Sequence, residues 1–376
     1  MHQRDFMVWI VKIIVAWAVL FAIQIPLRKK GEASRRRQVF IIKVILIPVT
    51  ALIAISFCSR LSFRYDDAVM AVYIVLMGDA AADIAEYIIR RISCGRGKDR
   101  TLRPCVLPAA AILSAVFCLC IFLYGTANAG SVTVKKHTWK AEGLTQSHTF
   151  AFAADIHAGN AQSMDTLREF CRQVNSENPE FVILGGDITD ELTSYDEMTA
   201  AYGILSELKA PVYFIYGNHD RQLKCDLVGG RTYSDEELAD AVEGAGIQIL
   251  SDEFAQVSHD LILLGREDAS RSGDRKDWPE LKNPYDGGAL IVADHQPYDK
   301  AQLAVEVSAL QLSGHTHAGQ LWPLRFIYNV FGLPAYGEYE EPGTRLYVSA
   351  GESGWSMPLR TEARCEWELI TLEPAD

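Results

Sequence analysis

The chain has 376 residues, 49% of them apolar, with 36 basic and 48 acidic side chains and a formal net charge of −12. That length admits two or three domains with a sizeable core, and the composition excludes a disordered or collagen-like chain. The charge is unevenly divided: residues 1–124 hold 17 basic and 8 acidic side chains, residues 125–376 hold 19 and 40. So acidic a second part repels phosphate backbones, which argues against nucleic-acid binding. The cysteines are scattered and form no CxxC pair, so neither a zinc ribbon nor a dithiol redox site is indicated. Cys171, Cys225 and Cys365 in the second part read as packing residues.

Four apolar stretches come first, at Met7–Leu27, Val39–Phe57, Ala68–Ile89 and Cys105–Tyr124. Each is about 20 residues long, the length a membrane-spanning helix needs. The first is too long for the core of a cleavable signal and lacks a small-x-small site before Arg28. The loop 28–38 carries Arg28, Lys29, Lys30, Arg35, Arg36 and Arg37. The loop 90–104 carries Arg90, Arg91, Arg96, Lys98, Arg100 and Arg103. Positive loops stay cytoplasmic, so residues after Tyr124 are expected outside a multi-pass plasma-membrane anchor. In the third stretch Asp79, Asp83 and Glu86 share one helix face. Pairing with Lys12 or Lys43 inside a bundle is the plainer reading of them; a functional role is the other.

Residues 125–147 read as a linker with one or two strands. From His148 to the end, apolar runs of strand length alternate with amphipathic helices, the pattern of an α/β domain with buried strands. Helices are expected at Met164–Asn175 and Tyr195–Lys209. A third begins at Ser234, where Glu237 completes a capping box, and stops near Gly244–Gly246.

The residues just beyond each apolar run carry the chemistry. Phe150–Ala154 ends in Asp155-Ile156-His157, and Phe181–Leu184 ends in Gly185-Gly186-Asp187. Val212–Tyr216 ends in Gly217-Asn218-His219-Asp220. Ala289–Ala293 ends in Asp294-His295, and Leu310–Ser313 ends in Gly314-His315-Thr316-His317. Ligand sites of open α/β sheets form beyond the carboxyl ends of strands. Five strand ends therefore deliver carboxylate, imidazole and amide donors to one rim, with no thiolate, a donor set suited to hard or borderline divalent metals. Any one of these motifs is weak alone. Together, in one order and with five of the nine histidines, they point to a metal site.

This set (DxH, GD, GNHD, a lone His, GHxH) resembles the calcineurin-like metallophosphoesterase superfamily over about residues 145–375. The GHTHAGQ form, with Tyr347-Val348-Ser349 and Pro358-Leu359-Arg360, is most similar to its bacterial membrane-anchored branch. The resemblance implies an α/β fold of two mixed β-sheets packed face to face, a four-layer sandwich with flanking helices. It also implies two divalent ions (Mn, Fe or Zn) about 3.5–4 Å apart that lower the pKa of a shared water. Asp155, His157 and His317 would hold the first, Asn218, His295 and His315 the second, and Asp187 would bridge them. His219 would act on the phosphoryl or leaving oxygen, with Asp220 fixing its ring.

The substrate is less legible. The expected activity is hydrolysis of phosphate esters, lipid-linked or cell-envelope compounds among them, by an enzyme set among membrane lipids. Cleavage of a nucleotide-linked acyl sugar pyrophosphate, or a non-catalytic metal-binding receptor or scaffold, are the alternatives. Arg325 or Arg360 could hold a substrate phosphate. The aromatic run Leu321–Phe331 reads as a core strand, or else as a lip toward lipid or an apolar leaving group. His137, His148 and His259 match no motif and read as ordinary.

Overall fold

The computed structural model describes residues 106–375, apart from 224–229, 300–308 and 342–343, together with scattered helical positions between 73 and 88. The first two apolar stretches, both basic loops, Cys225 and the residues Lys12, Lys43, Asp79 and Glu86 lie outside the described residues. The chain divides into two compact units, Met1–Gly125 and Thr126–Asp376.

Helix α1 (Val106–Ala129), most of which belongs to the first unit, starts near the fourth stretch and has neither an acidic first turn nor a basic last turn. Among the described residues it is the one helix long and apolar enough to cross a membrane. Ser114 donates from Oγ to Gly78 O at 2.8 Å, and Cys118 from Sγ to Ile74 O at 3.4 Å, so α1 packs on helical residues of the third stretch.

The second unit follows the α/β pattern. Helices α2 (Met164–Glu177), α3 (Tyr195–Leu205) and α4 (Asp235–Gly244) begin at Ser163, Ser194 and Ser234, whose side chains accept backbone N–H groups of the first turn. Capping boxes with Glu197 and Glu237 complete the last two. Asn178 in the left-handed region (φ 51°) ends α2 just before Pro179. Helix α3 stops four residues short of its sequence pattern. There Glu207 N donates to Ile204 O and Leu208 N to Leu205 O, so the chain tightens into short turns while Leu208 stays buried.

Strand β1 (Val132–Ala141) pairs in parallel with β12 (Cys365–Pro374). β12 runs antiparallel to β2 (His148–Ala153), and β3 (Val182–Leu184), β4 (Val212–Phe214) and β5 (Gln248–Ile249) continue parallel to β2. The second sheet has the order β10 (Gly337–Glu341), β11 (Thr344–Val348), β9 (Ala309–Ser313), β8 (Ala289–Ala293), β7 (Leu261–Gly265), β6 (Glu253–Ser258). Its edge pairs β10–β11 and β6–β7 are antiparallel and its centre is parallel. These are the two expected mixed sheets.

Alternate residues settle the layering. Phe150, Phe152, Ile183 and Ile370 of the first sheet share one cluster with Leu263, Ile291, Leu312 and Tyr347 of the second, so the sheets pack face to face. On the outer side of the first sheet, Ala151, Leu184, Phe214 and Trp367 meet Leu167, Phe170, Met198, Tyr202, Leu238 and Val242 of α2–α4. The outer side of the second sheet is closed differently from the expected fourth, helical layer. Among the described residues Ile262, Leu264, Leu290 and Val292 are covered by Phe254 and by Trp278, Leu281 and Tyr285, from and after a short 3-10 turn.

The run Leu321–Phe331 is not a core strand. Its residues Leu324–Val330 form a short helix, α5, with Leu324, Phe326, Ile327 and Val330 exposed. Pro323 cannot donate to a strand ladder, and β9 is already flanked by β8 and β11.

Candidate metal centre

Every motif follows a strand of the parallel cores, β2, β3 and β4 in one sheet, β8 and β9 in the other. The two rims join directly. From the second sheet, His315 N donates to Asp155 Oδ2 of the first at 2.9 Å, and the His295 ring meets Gly185 O at 2.9 Å. At the rim the backbone is sharply wound. Asp155, His157, Asp187, His315 and His317 all have positive φ, between 48° and 72°. Such conformations cost a non-glycine residue about 1 kcal/mol or more and persist where the surroundings over-determine them, as at functional sites. Two glycines are required by proximity: a Cβ on Gly217 would collide with the Asp187 carboxylate, and one on Gly314 with that of Asp155.

The winding brings six side chains into two groups. Asp155, His157 and His317 offer ligand atoms within 4.8 Å of one another, and so do Asp187, His295 and His315. His315 is half-buried and the other five are buried. Asn218 is buried as well, and its Oδ1 has no hydrogen-bond partner.

The imidazoles are oriented from behind. His295 Nδ1 sits on Gly185 O, which leaves Nε2, with no hydrogen-bond partner, 3.0 Å from Asp187 Oδ2. His317 Nδ1 lies 3.1 Å from Ser353 O, and His157 Nδ1 lies 3.3 Å from Asp190 Oδ2. The two Nε2 atoms face each other across 3.3 Å, beside Asp155 Oδ1. Such an arrangement is relieved by a cation, and backing of this kind is usual for metal-bound histidines. The orphaned buried acceptor of Asn218, the unpartnered Nε2 of His295 and the two facing imidazole nitrogens therefore fit a pair of divalent ions.

The electrostatics differ from one donor to the next. Burial, reinforced by nearby His295, pushes His315 down to about 4, and burial with His157 holds His317 well below its ordinary value, so both are neutral donors. For His157 and His295 burial acts downward too, but the carboxylates Asp190 and Asp187 outweigh it and both are raised. Burial would raise Asp187, yet His295 and His219 hold it well below the usual carboxylate range. Asp155 is raised, chiefly by burial.

His219 lies at the edge of this centre, its ring centroid 5.6 Å from that of His157, and its backbone N–H donates to Asp187 Oδ1 at 2.8 Å. Burial lowers it, but the Asp187 charge and a 2.6 Å contact from Nδ1 to Glu191 Oε2 bring it up to about 9. The ring is thus fixed by Glu191 and not, as the sequence led one to expect, by Asp220. The Asp220 carboxylate is turned away, accepting N–H groups of Asp187, Ile188, Thr189 and Gly217.

Arg360 also departs from expectation. Its side chain is fully buried and donates to carbonyls of His317, Ala350, Gly351 and Ser353, so it braces the loops behind His317 and has no free face for a substrate. Arg325 is half-buried, its guanidinium 4.7 Å above the Tyr336 ring. His148 is no ordinary histidine: it is fully buried, with Glu180 Oε2 2.7 Å from Nδ1 and Asp260 Oδ1 2.8 Å from Nε2.

Residues 148–319 match the family described as Calcineurin-like phosphoesterase. The chain carries a calcineurin-like metallophosphoesterase domain. Relatives agree: the chain is 28% identical over 291 residues to a Danio rerio protein named "Transmembrane protein with metallophosphoesterase domain", covering 70% of this chain and 63% of that one. It is 26% identical over 231 residues to an uncharacterized metallophosphoesterase of Helicobacter pylori, covering 58% of each. It is 29% identical over 240 residues to the uncharacterized metallophosphoesterase YkuE of Bacillus subtilis, covering 58% of this chain and 77% of that one. The chain thus spans only about six tenths of the first two relatives. Among solved structures, a dimetal phosphatase from Danio rerio matches 54% of this chain and 87% of its own at 13% identity and a TM-score of 0.35.

Three residues of this metallophosphoesterase domain escaped the sequence reading: Asp190 and Glu191, which back His157 and His219, and Gln320, which ties the loops around the site. The acidic run after Asp187 was the available signal for the first two. Gln320 Nε2 donates to Trp355 O, and its O accepts Thr361 N.

Proposed function

We propose that the chain is a membrane-anchored, dinuclear metal-dependent phosphoesterase. One observation carries this reading: two triads of donors, five of the six buried, at the joined sheet rims, beside the unsatisfied amide oxygen of Asn218. In this reading Asp155, His157 and His317 hold one divalent ion, Asn218, His295 and His315 hold the other, and Asp187 stands between them. Manganese, iron or zinc would each suit these donors. Such ions neutralise phosphate charge and supply a nucleophilic oxygen near neutral pH.

The chain's own groups do the rest. His219 carries a proton on Nε2, held toward the site by Glu191 behind Nδ1, and gives it to a phosphoryl or leaving oxygen. Asp220 keeps the β3 and β4 loops together so that Asp187 and Asn218 stay in place. Trp355 stacks on the His219 ring, with centroids 5.8 Å apart, and walls one side of the approach.

The anchor in this proposal is the set of four apolar stretches, with the head outside the cytoplasm as the basic loops at 28–38 and 90–104 require. The apolar α1 and the name of the Danio rerio relative support membrane association. Protease protection in intact cells tests the orientation: a shielded head overturns it.

Activity is tested with the full chain in detergent, stripped by chelator and reloaded with Mn²⁺, Zn²⁺ or Fe²⁺. Assays use an aryl phosphate monoester, a diester and a nucleotide-linked pyrophosphate. Metal-dependent turnover abolished by Asp187→Asn supports the proposal, and the preferred ester separates its variants. Metal binding without turnover on any ester would establish a receptor or scaffold instead.

A further inference from the structure

Helix α5 is built inside out for an aqueous surface. Phe326 and Phe331 are 66% and 74% exposed, and Val330 and Trp322 are also open, whereas the polar residues Arg325 and Tyr328 face inward and are half-buried. Phe326, Ile327, Val330 and Phe331 stand at spacings that form one continuous stripe. A soluble amphipathic helix has the opposite arrangement. Large apolar side chains left in water forgo the stabilisation of burial, and contiguous patches of this kind mark an interaction site.

The surroundings say what covers it. Asn128, in the last turn of α1, donates to the carbonyls of Arg360, Glu362 and Ala363 at 3.1–3.4 Å. The same loop holds the root of α5: Thr361 N and Glu362 N donate to Gln320 O, and Trp322 N donates to Thr361 Oγ1 at 2.9 Å. A single loop thus joins the end of α1 to the start of α5. α1 is apolar all round and leaves Ile112, Val116, Leu119 and Tyr124 exposed, as suits a lipid environment. Trp322 is of the type that favours the membrane interface, and Arg364 on the shared loop is exposed and suits anionic headgroups.

We infer that the apolar stripe of α5, with Trp322, rests in the interface of the lipid bilayer that α1 enters, holding the metal centre at the membrane surface. The path from bilayer to centre is short in covalent terms. His317, Gln320 and the start of α5 at Leu324 lie within eight residues of chain, and Trp355, whose backbone N–H donates to Gln320 Oε1, stacks on His219. Resting on the phosphoesterase reading, this names a substrate class: phosphoesters whose apolar part stays in the bilayer.

The test uses the full chain in phosphatidylcholine–phosphatidylglycerol vesicles, with a photo-crosslinking amino acid at position 326 or 331. Leu119 serves as the position expected in lipid and Tyr195, exposed on α3, as the position expected in water. Lipid adducts at 326, 331 and 119 but not at 195 are expected. Lipid adducts at 119 alone, at none of the four, or replacement of lipid by a second copy of the chain at 326 and 331 overturns the inference. Cross-linking needs no catalysis, so it decides the surface even if the chain hydrolyses nothing. For the substrate class, Phe326→Ser/Phe331→Ser should lower hydrolysis of a vesicle-borne phosphoester tenfold or more and leave a soluble aryl phosphate unchanged. Equal loss on both, or loss on neither, overturns that part.

Discussion

The Asp220 carboxylate lies beneath Asp187: Oδ2 accepts the Asp187 N–H at 2.8 Å and the Gly217 N–H at 2.7 Å, while Oδ1 accepts those of Ile188 and Thr189. One acid thereby fastens the loop after β3 to the loop after β4. Each buried N–H left without an acceptor costs about 1–3 kcal/mol. Asp220→Ala should therefore destabilise the protein by roughly 3 kcal/mol or more and lower metal content as well as turnover. Denaturant unfolding with elemental analysis checks this. A variant that keeps its stability and both metals would show that Asp220 acts elsewhere.

Glu191 is the partner that orients His219. Glu191→Ala removes the acceptor at Nδ1 and frees the ring to rotate, so kcat should fall about 10- to 100-fold with metal content unchanged. Glu191→Gln, which can still accept a hydrogen bond from Nδ1, should recover part of the loss. His219→Ala should lower kcat about 10²- to 10⁴-fold, again without loss of metal. If Glu191→Ala in the His219→Ala background costs a further full factor, the two residues act independently and the orienting role is excluded.

The strands and the rim were legible because both follow from local rules. Near-continuous apolar runs mark buried strands, and Ala289–Ala293 ends where the sequence places it. A Ser three residues before Glu marks a helix start, as at Ser234. The hydrogen-bond partners were not legible. Asp220 follows His219 in the chain, yet the turn after β4 sends its carboxylate to the β3 loop, and Glu191, 28 residues earlier, reaches the imidazole instead. Arg360 carries a charge that suggests a phosphate, but loops 317–320 and 350–354 close around it. Of the two readings of Leu321–Phe331, the core strand fails: the exposed residues of α5 are apolar, which periodicity alone assigns to a core.

Arg360 supplies a further prediction. Its guanidinium meets four carbonyls in different directions, which a lysine ammonium cannot reproduce. Arg360→Lys should loosen His317, whose carbonyl it holds, and weaken binding of one metal ion about tenfold, with KM for a soluble phosphoester little changed. Metal titration of the stripped protein reads the first effect and steady-state kinetics the second. A raised KM at unaltered metal affinity would restore Arg360 to substrate binding.

His148 predicts a pH dependence of stability remote from the metals. It opens β2 and meets Asp260, in the turn between β6 and β7, and Glu180, just before β3, so it links the two sheets. Burial lowers its affinity for a proton, but hydrogen bonds to Glu180 and Asp260 prevail and the imidazole is raised above 6.5. The folded protein then binds more protons than the unfolded chain between pH 6.5 and the raised value, so stability falls as pH rises through that window. Below 6.5 the contribution is complete. For Asp260 burial acts upward, but hydrogen bonds from Thr145 and His148 hold it far below the ordinary value. Its contribution is present above about pH 4 and is lost only in strong acid. Unfolding midpoints of the full chain in detergent, measured from about pH 6 to 9, should decline, and His148→Gln should flatten that decline while lowering stability at the acid end. A variant whose midpoint still falls with the parent's slope would assign the pH dependence to other groups.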